Sequence, residues 1–308
     1  MSPLLSTLFR CAGGTLTWLT VALVAAHVTQ AVERPGATAT PAERGKVIFD
    51  LTGGCGCHTD YKNKGALLAG GRGIKTPFGT VFGTNITPDS ETGLGKWTED
   101  DFVRAMTQGV RKDGKDLFPV FPYTSFTRMS EADLKDLWAY LKTVPPVRQE
   151  NRPHDLLPPF GIRLTLGPWK ALNFTPGPFR PDPGQSEQVN RGAYIVQALG
   201  HCAECHTPRN LMGALKSDMT HAGSLDGPEG QLAPNITPDE DTGIGKWSVK
   251  DIAYYLQTGS KPDGDEAEGL MSEMIEHGYS HVAEADLAAI AAYVKTLKPI
   301  AHKVKKKK

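Results

Sequence analysis

A chain of 308 residues, 39% hydrophobic and 22% charged, has room for about two packed domains, and its 33 Gly and 23 Pro predict many turns between short elements. Formal charge is zero, but Arg10 and the five lysines of 303–308 lie outside the body from Val32 to His302, which keeps 28 of the 34 basic residues against 34 acidic ones. A mildly acidic body excludes the nucleic-acid binders, which need a basic face.

Residues 1–31 read as a signal peptide. Arg10 supplies the positive start, Leu16 to Val28 the apolar stretch, and Thr29-Gln30-Ala31 a small-residue cleavage site. The stretch is shorter than the ~20 residues a membrane span needs and is broken by Thr17 and Thr20. Cys11 leaves with it, and the other four cysteines fall at two places. Thr40 then caps a helix that opens on Pro41 and buries Val47, Ile48 and Leu51. Thr98-Glu99-Asp100-Asp101 starts another. Ser130-Glu131-Ala132-Asp133 reads as a capping box ahead of a helix with Leu134, Leu137, Trp138 and Leu141 on one face.

Residues 145–185 are rich in proline, yet carry Leu156, Leu157, Phe160, Leu164, Trp169, Phe174 and Phe179. Such apolar content predicts a strap packed across its neighbours, not a solvated tether. Beyond it the plan repeats. Arg191-Gly192 echoes Arg44-Gly45, Asn235-Ile236-Thr237-Pro238-Asp239 echoes Asn85-Ile86-Thr87-Pro88-Asp89, and Gly245-Lys246-Trp247 echoes Gly95-Lys96-Trp97. Ser248 caps a helix, and Leu287, Ile290, Ala291 and Val294 line the last one. Self-similarity at so long an offset indicates duplicated domains, because solenoid repeats are much shorter. The expected fold is mostly α: two tandem domains, 40–144 and 186–298, joined by the strap 145–185 and followed by a basic tail, 299–308. Strand signals are scarce. Gly45 and Gly192 allow the first helix of each domain to approach its last closely.

The chemistry resides in Cys202-Ala203-Glu204-Cys205-His206, a C-x-x-C-H string. The two sulfurs add across the vinyl groups of a haem, and the histidine is thereby placed under the iron. A redox dithiol or half a zinc site also shows C-x-x-C, but neither requires the histidine, and no second pair at zinc-finger spacing accompanies it. Aligning Arg44 with Arg191 sets Cys55 on Cys202 but leaves His58 one residue short, giving Cys55-Gly56-Cys57-His58. At roughly 100° per residue, cysteines at i and i+3 share a helix face and those at i and i+2 do not. Gly53, Gly54 and Gly56 let the backbone leave the helix there. Two covalent haems c are therefore expected, with His58 and His206 as proximal ligands. One thioether through Cys57, or no covalent haem, remains the alternative at the first. His154, His201, His221, His277 and His281 have no motif partner and read as surface or satisfied residues. No phosphate-binding, dinucleotide-binding or nucleophile motif is visible.

The run from Arg191 through Cys205-His206-Thr207-Pro208-Arg209-Asn210, the paired Asn-Ile-Thr-Pro-Asp and Gly-Lys-Trp strings, and Leu117-Phe118-Pro119-Val120-Phe121-Pro122-Tyr123 resemble the multihaem cytochrome c subunits of bacterial periplasmic dehydrogenases. Those subunits serve alcohol, aldehyde, sugar and gluconate dehydrogenases, and similar two-haem chains accompany molybdenum hydroxylases. The resemblance implies class I cytochrome c domains in the periplasm, electrons received from a dehydrogenase and passed to a downstream cytochrome or oxidase, and no catalytic machinery in this chain. It implies Met271 as the sixth ligand of the second iron, with Met274 as competitor. The first domain departs from the pattern, because Phe121 stands where many relatives place methionine; Met129 is the nearest replacement, and Met106 reads as core. Met/His ligation raises the potential and fills the coordination sphere, which suits electron transfer. The rival readings are a two-haem redox enzyme of the peroxidase or thiosulfate-oxidising type and a free soluble shuttle. The Lys tail reads as a solvated end, with contact to a membrane as its second reading.

Overall fold

The computed structural model describes residues 38–305, so the expected signal peptide and the last three lysines lie outside the described residues. Helix α1 (Pro41–Leu51) begins where Thr40 and Glu43 satisfy each other: the Glu43 carboxylate accepts the Thr40 N–H at 2.7 Å and the Thr40 hydroxyl accepts the Glu43 N–H. It lies on α4 (Glu131–Leu141), where a side chain at Gly45 would overlap the Asp136 carbonyl. Beside that crossing Arg44 grips the Asp136 carboxylate through two nitrogens, at 2.8 and 2.7 Å. The second half repeats both devices. Between α6 (Glu187–Tyr194) and α10 (Glu284–Thr296), Gly192 meets the Ala289 carbonyl and Arg191 forks Asp286. The repeated Arg-Gly pair thus sets a helix crossing: the glycine removes a Cβ and the arginine fixes the angle.

The apolar faces read from the sequence are the buried ones. Leu134, Leu137, Trp138 and Leu141 of α4, and Leu287, Ile290, Ala291 and Val294 of α10, all lie in the core, as does Met106. Helices α2 (Glu99–Gln108) and α8 (Val249–Thr258) carry matching capping boxes from Thr98 with Asp101 and Ser248 with Asp251, and both end on a left-handed glycine, Gly109 and Gly259. Short helices α3 (Tyr123–Phe126) and α9 (Gly269–His277) follow them, and α7 (Ala203–His206) holds the second cysteine pair.

A small antiparallel sheet was not legible in advance: β1 (Gly73–Thr76) and β2 (Gly79–Phe82) form a hairpin, and β3 (Asp155–Leu156) adds to β2. Residues 145–185 make contacts with both halves. Asn151 accepts the Asn85 N–H at 2.6 Å, Lys170 pairs with Asp116, and the Phe174 ring meets Tyr123 edge-on; Trp169 donates to the Met212 carbonyl in the second half, and Phe179 meets Tyr194. Helix α5 (Leu166–Asn173) is the longest regular piece of this stretch. Limited proteolysis of the purified protein should therefore cut between 145 and 185 slowly; rapid cleavage into two folded halves would mark the stretch as a tether. The aromatics of this stretch are half-buried, whereas Leu157 and Leu164 point outward.

The Asn-Ile-Thr-Pro-Asp strings are knots. The Asn85 carbonyl oxygen accepts the backbone N–H and hydroxyl of Thr87, while its amide donates to the Val147 carbonyl and to Thr92. Asn235 does the same with Thr237, Thr242 and the Ile300 carbonyl. Residues 300–304, read from composition as part of a solvated end, instead pack on this knot, with the His302 ring against the Ala222 carbonyl at 2.8 Å and Val304 beside Gly223.

Candidate cofactor sites

At the second cysteine pair the polypeptide turns once through α7, with Cys202 in right-handed helical geometry, so Cys202 and Cys205 lie three apart on one turn. The Nδ1 of His206 lies 2.7 Å from the Pro234 carbonyl oxygen. A carbonyl only accepts, so Nδ1 carries the proton and Nε2 is left with its lone pair free. The first half places His58 Nδ1 at the same 2.7 Å from the Thr84 carbonyl. Thr84 and Pro234 each directly precede a knotted asparagine, so the repeated motif holds the carbonyl that orients each ring. Burial holds both imidazoles below the usual histidine pKa, hence neutral at pH 7.

Two proton-fixed imidazoles, each preceded by a cysteine, fit a covalently held haem in both halves. A haem there would meet Nε2 of His58 or His206, and Cys55 and Cys57 or Cys202 and Cys205 are the sulfurs that would be available to hold it. Burial pushes the thiols of Cys55 and Cys202 up to about 11 and that of Cys205 up to about 12. Sulfurs held as thiols are poor zinc ligands and slow disulfide partners, and among the described residues all four are unpaired and no metal-holding cluster of His, Cys, Asp or Glu is present.

The two attachment loops sit against each other's half. Helix α3 of the first half reaches the second loop: Thr124 donates to Glu204 at 2.9 Å, and Phe126 meets the His201 ring edge-on. Helix α9 of the second half reaches the first loop, where His277 stacks on Tyr61 with ring centroids 3.9 Å apart. Met274 lies on Gly53, whose missing Cβ would sit 2.6 Å from the methionine methyl. Buried Arg72 ties this junction together, donating to Glu229 at 2.8 Å, to Glu273 of α9, and to the Gly56 carbonyl. Such a fully partnered buried cation fixes an arrangement more than it adds stability. Gly53 and Gly54 are therefore required twice, for left-handed backbone and for the approach of α9.

Both methionines of α9 pack against the apolar core. Met271 is held there by Gln231, whose side-chain oxygen accepts the Leu270 N–H at 2.9 Å. Met274 packs there as well and also touches Gly53 of the first half. Phe121, which corresponds to Met271 at the repeat offset, is half-buried with its ring against Phe126. Met129 is buried in the core. Trp97 and Trp247 pack at the core's edge.

One histidine departs from its sequence reading. His221 is 3% exposed, and neither ring nitrogen has a hydrogen-bond partner among the described residues. It occupies the place of Leu68: both have positive φ, both donate their backbone N–H to the threonine after a site histidine, and both carbonyls accept from the isoleucine of the repeated motif. Burial pushes its pKa down to about 4. Above about 6.5, the unfolded value, neither state binds the proton and stability is full. Between 6.5 and about 4 only the unfolded chain protonates, and stability falls by up to about 3 kcal/mol at ~1.36 kcal/mol per unit. His221→Leu should remove that acid limb and raise stability at neutral pH by about 1–3 kcal/mol, the cost of unmet buried polar groups. Urea titrations from pH 7 to pH 4 check it, and parallel curves for the two proteins would refute it.

Comparison with known proteins now bears on this geometry. A family model for cytochrome c matches residues 189–298. The chain is 39% identical to a diheme cytochrome c-type protein of Cereibacter sphaeroides, over 84% of this chain and 86% of that one. It is 40% identical to the fructose dehydrogenase cytochrome subunit of Gluconobacter japonicus and 41% identical to one of the nicotinate dehydrogenase subunits of Pseudomonas putida, over 78% and 83% of this chain. It spans 49% and 21% of those two proteins, half their length or less.

Proposed function

The chain belongs to the cytochrome c family, and its relatives include proteins named as cytochrome subunits of fructose and alcohol dehydrogenases and as a diheme cytochrome c; from that membership we propose that it is a two-haem carrier in the periplasm, taking electrons from a dehydrogenase and passing them to a respiratory acceptor. The residues divide into two tandem domains, 40–144 and 186–298, with 145–185 as the strap that keeps their separation constant. The observation that carries the reading is the paired histidine geometry, Nδ1 on a knotted carbonyl at 2.7 Å in both halves. Bound haem supplies the one-electron chemistry. The chain's own part is to hold, orient and tune. His58 and His206 serve as proximal ligands, Met271 as the sixth ligand at the second iron and Met129 at the first, and the four cysteines as covalent anchors.

A second reading, a two-haem redox enzyme, rests on one observation. Phe121 stands where the second half has Met271, which leaves the first iron without the methionine that the repeat predicts. The two readings separate on ligand access. The reduced holoprotein, mixed with carbon monoxide, should show no rapid spectral change, and with hydrogen peroxide it should show no turnover. Rapid carbon monoxide binding at one of two irons together with peroxide turnover would establish the enzyme.

A further inference from the structure

An arginine meets each attachment loop at the same backbone atom. Arg72 donates through Nη1 to the Gly56 carbonyl at 3.3 Å, and Arg209 donates through Nη2 to the Glu204 carbonyl at 3.1 Å. Gly56 and Glu204 each stand one residue before the second cysteine and two before the site histidine. Both guanidiniums are themselves anchored. Arg72 donates to Glu229 at 2.8 Å and to Glu273; Arg209 donates to the Glu204 carboxylate at 2.6 Å and to the Gly213 carbonyl at 2.7 Å.

The two arginines do not occupy the same position of the repeat. Gly70 and Gly223 donate to the carbonyls of His58 and His206, and the residues that follow, Gly71 and Ser224, donate to the carbonyls of Gly83 and Ala233. That register sets Arg72 against Leu225, which is 41% exposed. Arg209, three residues after His206, corresponds instead to Tyr61, three after His58. The Tyr61 ring lies on Gly56, 3.8 Å from where its Cβ would be, and stacks on His277. Arg72, directly before β1, reaches the carbonyl in its stead. Convergence of two unrelated sequence positions on one backbone atom indicates a shared task, since the repeat alone would have placed the same residue in both halves.

The task follows from what the other contacts leave open. The bonds from Nδ1 to the Thr84 and Pro234 carbonyls fix the rotation of each imidazole, whereas the carbonyl two residues earlier fixes where the loop turns. A guanidinium is always charged and presents five donors in a rigid fork, so it holds a carbonyl and a carboxylate at once. Burial pushes the thiols of Cys57 and Cys205 up, and in each half the arginine opposes it, which places the cation near the sulfur as well. We propose, resting on the two-haem reading, that Arg72 and Arg209 are equivalent positioning residues, each holding one attachment loop so that its histidine stays beneath the iron and water stays out on that side.

Potentiometric titration of the full holoprotein tests it, with variants that keep the local charge constant. Arg72→Leu with Glu229→Gln removes one charge of each sign, as does Arg209→Leu with Glu204→Gln. Each pair should lower the potential of one iron, because a loosened loop admits water and a wetter site favours the oxidised state. The reduced-to-oxidised ratio at that iron should fall on the order of tenfold, about 59 mV for a one-electron couple, and the two pairs should displace different waves. Arg209 is half-buried in a loop, so its pair keeps the fold. Arg72 is buried, so Arg72→Lys is measured beside its pair: lysine keeps the cation but, as a point donor, does not span Gly56, Glu229 and Glu273, and it should displace the same wave by less. Unchanged far-UV circular dichroism verifies folding. Waves that stay in place in the Arg209 pair and in both Arg72 variants, or pairs that displace the same wave, overturn the assignment. Wild type that carries one haem by intact mass defeats the two-haem reading itself, and Arg72's part with it; two haems with unmoved waves defeat this assignment alone.

Discussion

Met271→Ala should abolish the methionine-to-iron charge-transfer band of one haem and lower its potential on the order of a hundred millivolts or more, a fraction of the ~0.8 V that axial ligation spans. The thioether sulfur stabilises reduced iron, and its loss leaves water or an open position in its place. Of the seven methionines in the chain, two lie on α9, and both pack against the apolar core. Met271 is packed against the apolar core, and the helix start beneath it is pinned by Gln231 at 2.9 Å from the Leu270 N–H. Met274 packs on that core too, and it alone of the two also lies against Gly53 in the other half. Met274→Ala should therefore leave the band intact and loosen the junction between α9 and the first attachment loop. An unchanged band in Met271→Ala with a lost band in Met274→Ala would reverse the assignment. Because the change touches one iron only, a potentiometric titration should show one wave displaced and the other within a few tens of millivolts of its original place, a scale set against the same ~0.8 V span.

What could be read beforehand follows from what side chains announce. The caps at Thr40, Thr98 and Ser248 combine a short polar residue with a downstream carboxylate, and each forms where it was expected. The apolar faces of α4 and α10 have the helical period and are buried. The Arg-Gly pair announced a close crossing, and Gly45 and Gly192 indeed meet carbonyl oxygens. The carbonyls of Thr84 and Pro234 were missed, because a backbone acceptor has no sequence signature; only the recurrence of Asn-Ile-Thr after both could have pointed to them. The sheet was missed because Gly73-Ile74-Lys75-Thr76 is too short to show a period and because β3, which adds to β2, comes from a stretch distant in sequence. His221 was misjudged because its burial comes from the position it shares with Leu68, visible only once both loops are superposed through their hydrogen bonds. The junction built by Arg72 joins residues more than a hundred and fifty positions apart, a distance over which single-chain patterns carry nothing.

Intact mass of the purified protein should show two haems, with neither Cys55 nor Cys57 open to thiol reagents. The first site lacks one residue between its cysteines, and the fold shows where that loss is absorbed. His58 keeps the register of His206, since its carbonyl accepts the Gly70 N–H at 2.7 Å as that of His206 accepts the Gly223 N–H at 2.7 Å. Cys57, directly before His58, therefore keeps the place of Cys205. The adjustment falls on the N-terminal side, where Gly53, Gly54 and Cys55 run consecutively left-handed with φ of 70°, 68° and 50°. Left-handed backbone is inexpensive for the two glycines and uncommon for a cysteine, so Cys55 is the residue placed by strain, with Thr52 Oγ1 3.3 Å from its sulfur. The turn Gly56–His58 then replaces the helical turn of the second site. Two consequences differ in size. Cys57→Ser should detach the first haem from the chain under denaturing conditions in most molecules, and His58→Ala should prevent its retention altogether. Cys55→Ser should leave the haem attached through one thioether, seen as a displaced band in the alkaline pyridine spectrum of the denatured protein. A mass carrying a single haem, with Cys55 and Cys57 both reactive in the wild type, would show that the first half is not a haem c site, whatever its likeness to the second.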